Sequence, residues 1–378
     1  MVYLDYAAAT PADDAVIQAA SPYFSDQFYN PSARYLPAKQ VKQVVDLARQ
    51  NVGKWLGCRG EEVYFTAGGT EANNLAIHGV MEQYPEANCV ISSIEHDSVY
   101  EPAQGYDVRS VAVDQYGIVD QKALEKAIDD KTVLVSIGYV NSEIGAIQPL
   151  KNIAKTIQSI KQKRLADKNE LPLYLHTDAC QAANYLDLHV HTLGADMLTL
   201  NGGKIYGFKQ SGCLYVHRGV QLLPLVKGGG QERGLRSGTE NVAFAIGFAA
   251  ALDAVQSNRT AESKRVSQLR DMLIKGIEAQ FPKANINGPV KNRIANNVHV
   301  SFSGLHNEIL QLQLEQAGVL VATGSACSAA KPENLSRVLA SIGKTDAQAK
   351  SSLRFSLGRA TTKVDIETTL KALGQIIS

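Results

Sequence analysis

Cysteine is scarce in this chain of 378 residues, and the five that it has are scattered. None of them shows a Cys-x-x-Cys spacing, which excludes an obvious zinc site or disulfide framework and favours a reducing compartment. We therefore expect no metal ligands here, and a cytoplasmic location. The five are Cys58, Cys89, Cys180, Cys213 and Cys327.

The sequence also lacks an excess of charge of one sign. It has 38 basic and 37 acidic residues, so nothing in its charge favours nucleic acid or an anionic membrane as a direct partner. Its hydrophobic content of 45% contains no long uncharged apolar run, which argues for a soluble globular protein. Residues 1–6 lead directly into folded-looking sequence, so we expect neither a secretory signal nor a transit peptide.

Short apolar runs instead alternate with amphipathic helical patterns, which predicts a mostly parallel sheet covered by helices. After about residue 255 a long charged helix and an alternating strand at Val298, Val300 and Phe302 follow. The strand is expected to be half-buried. Because the chain is longer than one simple core usually holds, we predict a large domain over 15–254. Residues 1–14 and 255–378 then form a smaller α/β domain.

Asp178 and Lys204 follow two apolar runs that read as buried strands of one sheet. The carboxyl ends of such strands are where open α/β sheets bind ligands, so a carboxylate and an amine meet there. Pyridoxal phosphate needs this pair: an amine for a Schiff base with its aldehyde, and an acid to keep its pyridine nitrogen protonated. The alternative interpretations of the pair are an ordinary salt bridge and two unrelated surface charges.

A strand at 63–66 runs into a Gly-Gly-Thr turn that opens a helix at Gly69 and Thr70. Backbone amides at a helix start, together with the Thr70 hydroxyl, form an anion site suited to a cofactor phosphate. Glycine is also the usual residue of any strand-to-helix turn, so this signal is weak alone.

Cys327 lies in a run of small residues, 324–334, which predicts a loop able to move. A partly exposed loop cysteine can act as a nucleophile, whereas Cys180 and Cys213 read as packing residues. From the loop context alone, a nucleophile and a bystander are equally good interpretations of Cys327. His96 similarly reads as a capping histidine at a helix start.

These motifs occur in the same order as in the cysteine desulfurases of the NifS/IscS type, which the whole chain resembles. They are YLDYAAATP at 3–11, GTE at 69–71, EH at 95–96, NSEIG at 141–145, Asp178 with Gln181, KIYG at 204–207, residues 228–239, the Cys327 segment and RFSLGR at 354–359. The resemblance implies a fold-type I pyridoxal phosphate transferase of the class V aminotransferase family, with a mostly parallel seven-stranded sheet. It also implies a homodimer that converts L-cysteine to L-alanine.

The same resemblance assigns roles at matching positions. Lys204 would bind the cofactor aldehyde, His96 would stack on the ring and move protons, and Cys327 would accept sulfur as a persulfide. Arg354 and Asn141 would bind the substrate, with Arg354 pairing with its carboxylate. The remaining cofactor contacts would be Gly69, Thr70, Asn141, Ser142, Asp178, Gln181, Asn201 and, across the dimer interface, Thr239.

The sequence departs from the family pattern beside the lysine. Gly203 stands where a histidine that contacts the phosphate is common, and Asn201 where serine is usual. Selenocysteine lyase, another fold-type I aminotransferase and a catalytically silent dimer that binds a sulfur-handling partner remain alternatives. For a desulfurase, the sulfur acceptor would be a scaffold for iron-sulfur cluster assembly or a tRNA-thiolation factor.

Overall fold

The computed structural model describes residues 1–323 and 336–377. Its strands, in chain order, are β1 (Val2–Tyr3), β2 (Val63–Thr66), β3 (Asn88–Ser92), β4 (Asp107–Val111), β5 (Thr132–Ser136), β6 (Tyr174–Asp178), β7 (Met197–Asn201), β8 (Gly212–Val216), β9 (Ala284–Ile286), β10 (Asn297–Phe302), β11 (Val319–Leu320) and β12 (Ser352–Ser356).

The α-helices follow the same order: α1 (Asp14–Ala20), α2 (Leu36–Leu56), α3 (Gly69–Met81), α4 (Asp97–Ala103), α5 (Gln121–Ala127), α6 (Leu150–Ala166), α7 (Val190–Leu193), α8 (Val242–Ser257), α9 (Arg259–Gln280), α10 (Asn307–Gln316), α11 (Arg337–Ser341), α12 (Asp346–Ala349) and α13 (Lys363–Ile377). Short 3-10 turns occupy Ser21–Phe24, Gly60–Glu62, Gly202–Lys204 and Glu232–Gly234.

Seven strands form the central sheet in the order β2-β8-β7-β6-β5-β3-β4. β8 runs antiparallel to both β2 and β7, and the other pairings are parallel. Every residue of β3, β5 and β8 is buried, as expected for strands covered on both faces by helices. The predicted mostly parallel seven-stranded sheet is therefore confirmed.

Helix α2 shows how local sequence sets the bounds of the covering layer. Pro37 stands in its first turn, where the missing amide proton costs nothing, and Gly57 ends it in the left-handed conformation at φ 68°. A Cβ at Gly57 would also lie 2.2 Å from the His189 ring, so this position excludes larger residues. α2 packs against α8, and α8 also packs against α1.

A second, antiparallel sheet has the order β12-β10-β9, and a short parallel pair joins β1 to β11. The expectation that β10 is half-buried was wrong, because all six of its residues are buried. Its polar residues sit in internal hydrogen bonds: Asn287 donates to Ser301 Oγ at 2.8 Å and pairs with His299 Nδ1 at 3.0 Å. Alternating polarity here reflects a buried polar network, not a solvated face.

The pairing of β1 with β11 attaches the first residues of the chain to its last third. This is the connection that a small domain made of 1–14 and 255–378 requires, and the boundary itself stays a prediction. Within the described residues, no helix combines the length and the apolar character needed to cross a membrane.

Candidate active site

Two neighbouring strands deliver the predicted pair to one cavity. β6 ends at Asp178, and β7 ends at Asn201, from which a 3-10 turn leads to Lys204. The cavity is open to solvent on one side and, with that open part included, spans about 810 Å³. It brings together ten of the predicted site residues, namely Gly69, Thr70, His96, Asn141, Ser142, Asp178, Gln181, Asn201, Lys204 and Arg354.

The Asp178 carboxylate is held from two sides by hydrogen-bond donors. Asn73 Nδ2 donates to Oδ2 at 2.7 Å, and the Cys180 amide donates to Oδ1 at 2.9 Å. Neither donor is a cation, so the ordinary salt bridge that the sequence left open is not what occupies this carboxylate. Both contacts use the carboxylate oxygens as acceptors, which is the arrangement that an acceptor for a ring N–H requires.

Lys204 lies against the start of the chain. Its Nζ donates to the carbonyl oxygens of Ala7 at 2.8 Å and Ala8 at 2.5 Å. The Gln181 side chain donates to the same Ala7 oxygen at 3.0 Å, which places the amide beside the amine. Local patterns give no sign of this long-range contact, although the 3–11 motif contains both alanines.

His96 is both a helix cap and a cavity residue. It is the N-cap of α4, where its Nδ1 accepts the Ser98 amide proton at 3.1 Å and lies 2.8 Å from the Ser98 hydroxyl. Because an amide can only donate, Nδ1 carries no proton in this geometry, and the neutral ring has its proton on Nε2. The capping interpretation was therefore correct, and it fixes the orientation of a ring that also lines the cavity.

Glu95 is fully buried beside His96, and sequence reasoning gave it no role of its own. The Ser92 hydroxyl donates to it, and the Gly138 amide lies 3.0 Å from both of its oxygens. Burial raises the pKa of Glu95 to about 7, while the Ser92 and Gly138 hydrogen bonds act in the opposite direction. A cavity wall thus contains a carboxyl group that titrates near neutrality.

The start of α3 forms the other end of the cavity. Its N-cap, Gly68, has φ 122°, and within the described residues no side chain caps the helix. A Cβ on Gly69 would lie 2.7 Å from Cys180 Sγ and 3.4 Å from Asn201 Cβ, so this turn is closely packed and requires glycine. Open backbone amides at a helix start are a built anion site.

Arg354 reaches the cavity from β12 of the second sheet and is 2% exposed. Its Nη2 donates to Asp5 Oδ1 at 2.8 Å and its Nη1 to the Ser142 carbonyl at 3.1 Å. Its Nε has no partner among the described residues. Since a guanidinium has five N–H groups, three remain for a substrate carboxylate.

Asn141 has a mainly structural part in the cavity wall. Its Oδ1 accepts the amide protons of Glu143 and Ile144, and its Nδ2 donates to the Ile94 carbonyl at 2.9 Å. One amide proton remains for a bound molecule. The predicted contact of Asn141 with cofactor and substrate depends on that single donor.

Two predicted residues are absent from the cavity wall formed by the described residues. Thr239 is exposed and lines no part of this cavity. A residue that acts across a dimer interface would contact the partner's cavity and not the one in its own chain. Cys327 lies outside the described residues. Cys180 and Cys213 are buried, and burial raises both thiol pKa values well above the ordinary range, in line with packing roles.

Asn73 is the cavity residue that sequence reasoning missed most clearly. It is fully buried, it holds Asp178, and its Nδ2 also donates to Ser98 Oγ at 2.8 Å. The available signal was a polar residue on an otherwise apolar face of α3, beside Ala72, Leu75 and Ala76. A buried amide on such a face requires a polar partner.

These residues fit pyridoxal phosphate. The cavity supplies an amine at Lys204, a hydrogen-bonded carboxylate at Asp178 and an open helix start at Gly69. The three groups match the aldehyde, the ring nitrogen and the phosphate of that molecule.

A family model described as aminotransferase class-V matches residues 2–369. The chain belongs to the class-V aminotransferase family. It is 39% identical to a protein of Clostridium botulinum named cysteine desulfurase IscS, over 100% of this chain and 94% of that one. The family resemblance inferred from the sequence motifs is thereby confirmed.

Two solved structures show the same architecture. One, titled NifS-like protein, has a TM-score of 0.90 at 30% identity and covers 100% of this chain and 99% of its own. The other, titled SspA in complex with cysteine, has a TM-score of 0.81 at 31% identity and covers 94% of this chain and 99% of its own. The α/β fold predicted from the sequence, that of a fold-type I transferase, agrees with both structures.

Proposed function

We propose that this protein is a pyridoxal phosphate-dependent cysteine desulfurase. The observation that carries the proposal is the meeting of Lys204, Asp178 and Arg354 in one cavity. The first two suit the cofactor, and the third suits an amino acid carboxylate. The relative named cysteine desulfurase and the neighbour solved with cysteine support L-cysteine as the substrate.

The cofactor supplies an electron-withdrawing ring that stabilises negative charge at the substrate α-carbon. This chain contributes the groups around it. Lys204 Nζ, held at the Ala7 and Ala8 carbonyls, would receive the α-proton, and Arg354 would hold the carboxylate so that the α-proton faces that amine. Gly69, Thr70 and Asn201 would hold the phosphate, and Gln181 and the 141–142 pair would contact the ring oxygen.

Cys327 would complete the reaction. Its thiolate attacks the substrate sulfur, an S–S bond forms as the substrate C–S bond breaks, and the substrate carbon takes up a proton. L-cysteine and one thiol thus yield L-alanine and one persulfide, with atoms and electrons balanced.

The described residues on either side of Cys327 both attach to the cavity. Ala322 exchanges two backbone hydrogen bonds with Arg354, at 3.1 and 2.7 Å. Ser336 donates to the buried Glu143 at 2.5 Å, and Arg337 donates to the Glu95 carbonyl at 2.7 Å. Cys327 lies between these two attachments in the sequence, four residues after Thr323. The attachment of both flanking segments to residues of the cavity supports Cys327 as the sulfur acceptor.

A selenocysteine lyase or another aminotransferase would use the same lysine, carboxylate and guanidinium. Cys327 therefore decides between these activities, since transamination needs no thiol. In the test, Cys327→Ser is given L-cysteine. The expected result is a spectral change on substrate binding with almost no alanine, whereas alanine release at the wild-type rate would exclude the desulfurase mechanism.

We further propose a cytoplasmic homodimer in which Thr239 reaches the phosphate of the neighbouring site. Large exposed side chains near the start of the chain support an interface: Phe24, Phe28, Tyr35 and Leu36 are 54–68% exposed. A sulfur-acceptor protein, either an iron-sulfur scaffold or a tRNA-thiolation factor, would then receive the persulfide. Sedimentation with and without Thr239→Ala, together with cofactor retention, tests the dimer and its shared site.

A further inference from the structure

A second cavity continues the main one at its phosphate end. The residues that line both are Ala8, Gly69, Thr70, Asn201 and Lys204, and Gly203 and Lys209 are among those that line only the second. A phosphate seated at the start of α3 would therefore face Lys209 as well as Lys204. When the Lys204 amine is bonded to the cofactor aldehyde, Lys209 is the remaining cationic side chain among the described residues that line this second cavity.

The charge of Lys209 is not used elsewhere in the described part of the chain. It forms no ion pair and no side-chain hydrogen bond there, and it is exposed. The acidic residue of the same cavity, Glu71, already forms an ion pair with Arg236. Its carboxylate accepts from Arg236 at 2.9 and 3.3 Å and from the Ala67 amide at 3.1 Å.

The Lys209 side chain lies beside Gly203 in this second cavity. A Cβ built at Gly203 would lie 3.5 Å from Lys209 Cγ and 3.6 Å from Lys209 Cα. The stem of the lysine thus runs beside the backbone of a residue that has no side chain of its own. Lys209 lines the same cavity as Thr70 and Asn201.

We propose that Lys209 binds the phosphate of the cofactor and supplies the cationic donor that Gly203 cannot. The inference rests on the proposed function, since it needs pyridoxal phosphate in the main cavity. A lysine ammonium acts as a point charge and needs no fixed geometry, which suits a long side chain at the solvent edge of the site. Its contribution is expected to fall with added salt.

The test compares two ligands, pyridoxal phosphate and pyridoxal, which differ only in the phosphate. Dissociation constants are measured by absorbance for full-length wild type, Lys209→Gln and Lys209→Arg. Lys371→Gln, which removes an exposed charge from α13, is the matched control. We expect Lys209→Gln to weaken pyridoxal phosphate about 10-fold and to leave pyridoxal unchanged, because one exposed charge-assisted contact is lost. Lys209→Arg should retain most of the affinity.

Gly203→His provides an independent check. A Cβ at this position would meet its nearest atoms at ordinary contact distance, 3.4–3.6 Å, so a side chain can start there without a clash. In the Lys209→Gln background, this change should restore pyridoxal phosphate binding and should leave pyridoxal binding alone.

The outcomes separate the two proposals. If the wild type binds no pyridoxal phosphate, the proposed function fails and the inference with it. If the wild type binds and Lys209→Gln binds equally well, only the inference is overturned. Equal weakening of both ligands by Lys209→Gln would also overturn it, because the lysine would then support the fold and not the phosphate.

Discussion

Glu95→Gln should change how the stability of the protein depends on pH. Glu95 is fully buried, and the pKa of its carboxyl group rises to about 7 from an ordinary value of 4.5, chiefly through burial. Among nearby charges, Asp178 adds to the rise and His96 opposes it. The glutamine replacement keeps the shape and an acceptor for the Gly138 amide, but it cannot ionise.

The sign follows from the direction of the shift. A carboxyl group with a higher pKa in the folded state favours folding below its unfolded pKa, and this contribution disappears as pH rises through the folded pKa. For Glu95 the loss therefore falls between about pH 4.5 and 7. A carboxyl group with a pKa of about 7 in the folded state and 4.5 in the unfolded state loses about 3 kcal/mol of stability in total as pH rises, of which about 2 kcal/mol is lost between pH 5 and 8.

The assay is urea unfolding of both cofactor-free proteins at pH 5 and pH 8. The free energy of unfolding of Glu95→Gln, minus that of the wild type, should increase by about 2 kcal/mol from the lower to the higher pH. Titrating groups that do not interact with Glu95 behave alike in both proteins and cancel in this difference. An identical difference at both pH values would show that Glu95 is already ionised in the folded protein, and the reasoning from burial would be refuted.

Two further predictions concern single contacts of the cavity. Arg354→Lys should raise KM for L-cysteine by about 10-fold or more, because an ammonium cannot replace a bidentate contact with a carboxylate. The absorbance of the bound cofactor should not change. An unchanged KM would show that the substrate carboxylate binds elsewhere. Gly69→Ala should lower Tm and cofactor retention, because its Cβ would lie 2.7 Å from Cys180 Sγ. Adding Cys180→Ala removes that sulfur and should restore both, and no restoration would mean that backbone conformation causes the loss.

The sequence was most informative where structure is local. The strand predicted at 63–66 is β2 with the same bounds, because a run of β-branched and aromatic residues ends at a glycine turn. Asp178 and Lys204 could be placed at one sheet edge because both follow short, largely apolar runs, which are typical of buried strands.

Contacts between distant segments could not be read in this way. The Ala7 and Ala8 carbonyls that hold Lys204 belong to a segment almost 200 residues away, and no periodicity reports such a meeting. The pKa of Glu95 depends on how its own segment packs against two others. Ser92 reaches it from the end of β3, and Gly138 reaches it from the turn after β5. Burial of this kind is a property of the packed structure.

Mass spectrometry of the purified protein after exposure to L-cysteine, without added reductant, tests the central claim most directly. One sulfur atom, about 32 Da, should appear on the Cys327 peptide as L-alanine is released, and the reaction should then stall because the thiol is occupied. Lys204→Ala should show neither the added sulfur nor the alanine. Alanine release by the wild type with no added mass on that peptide would contradict the account.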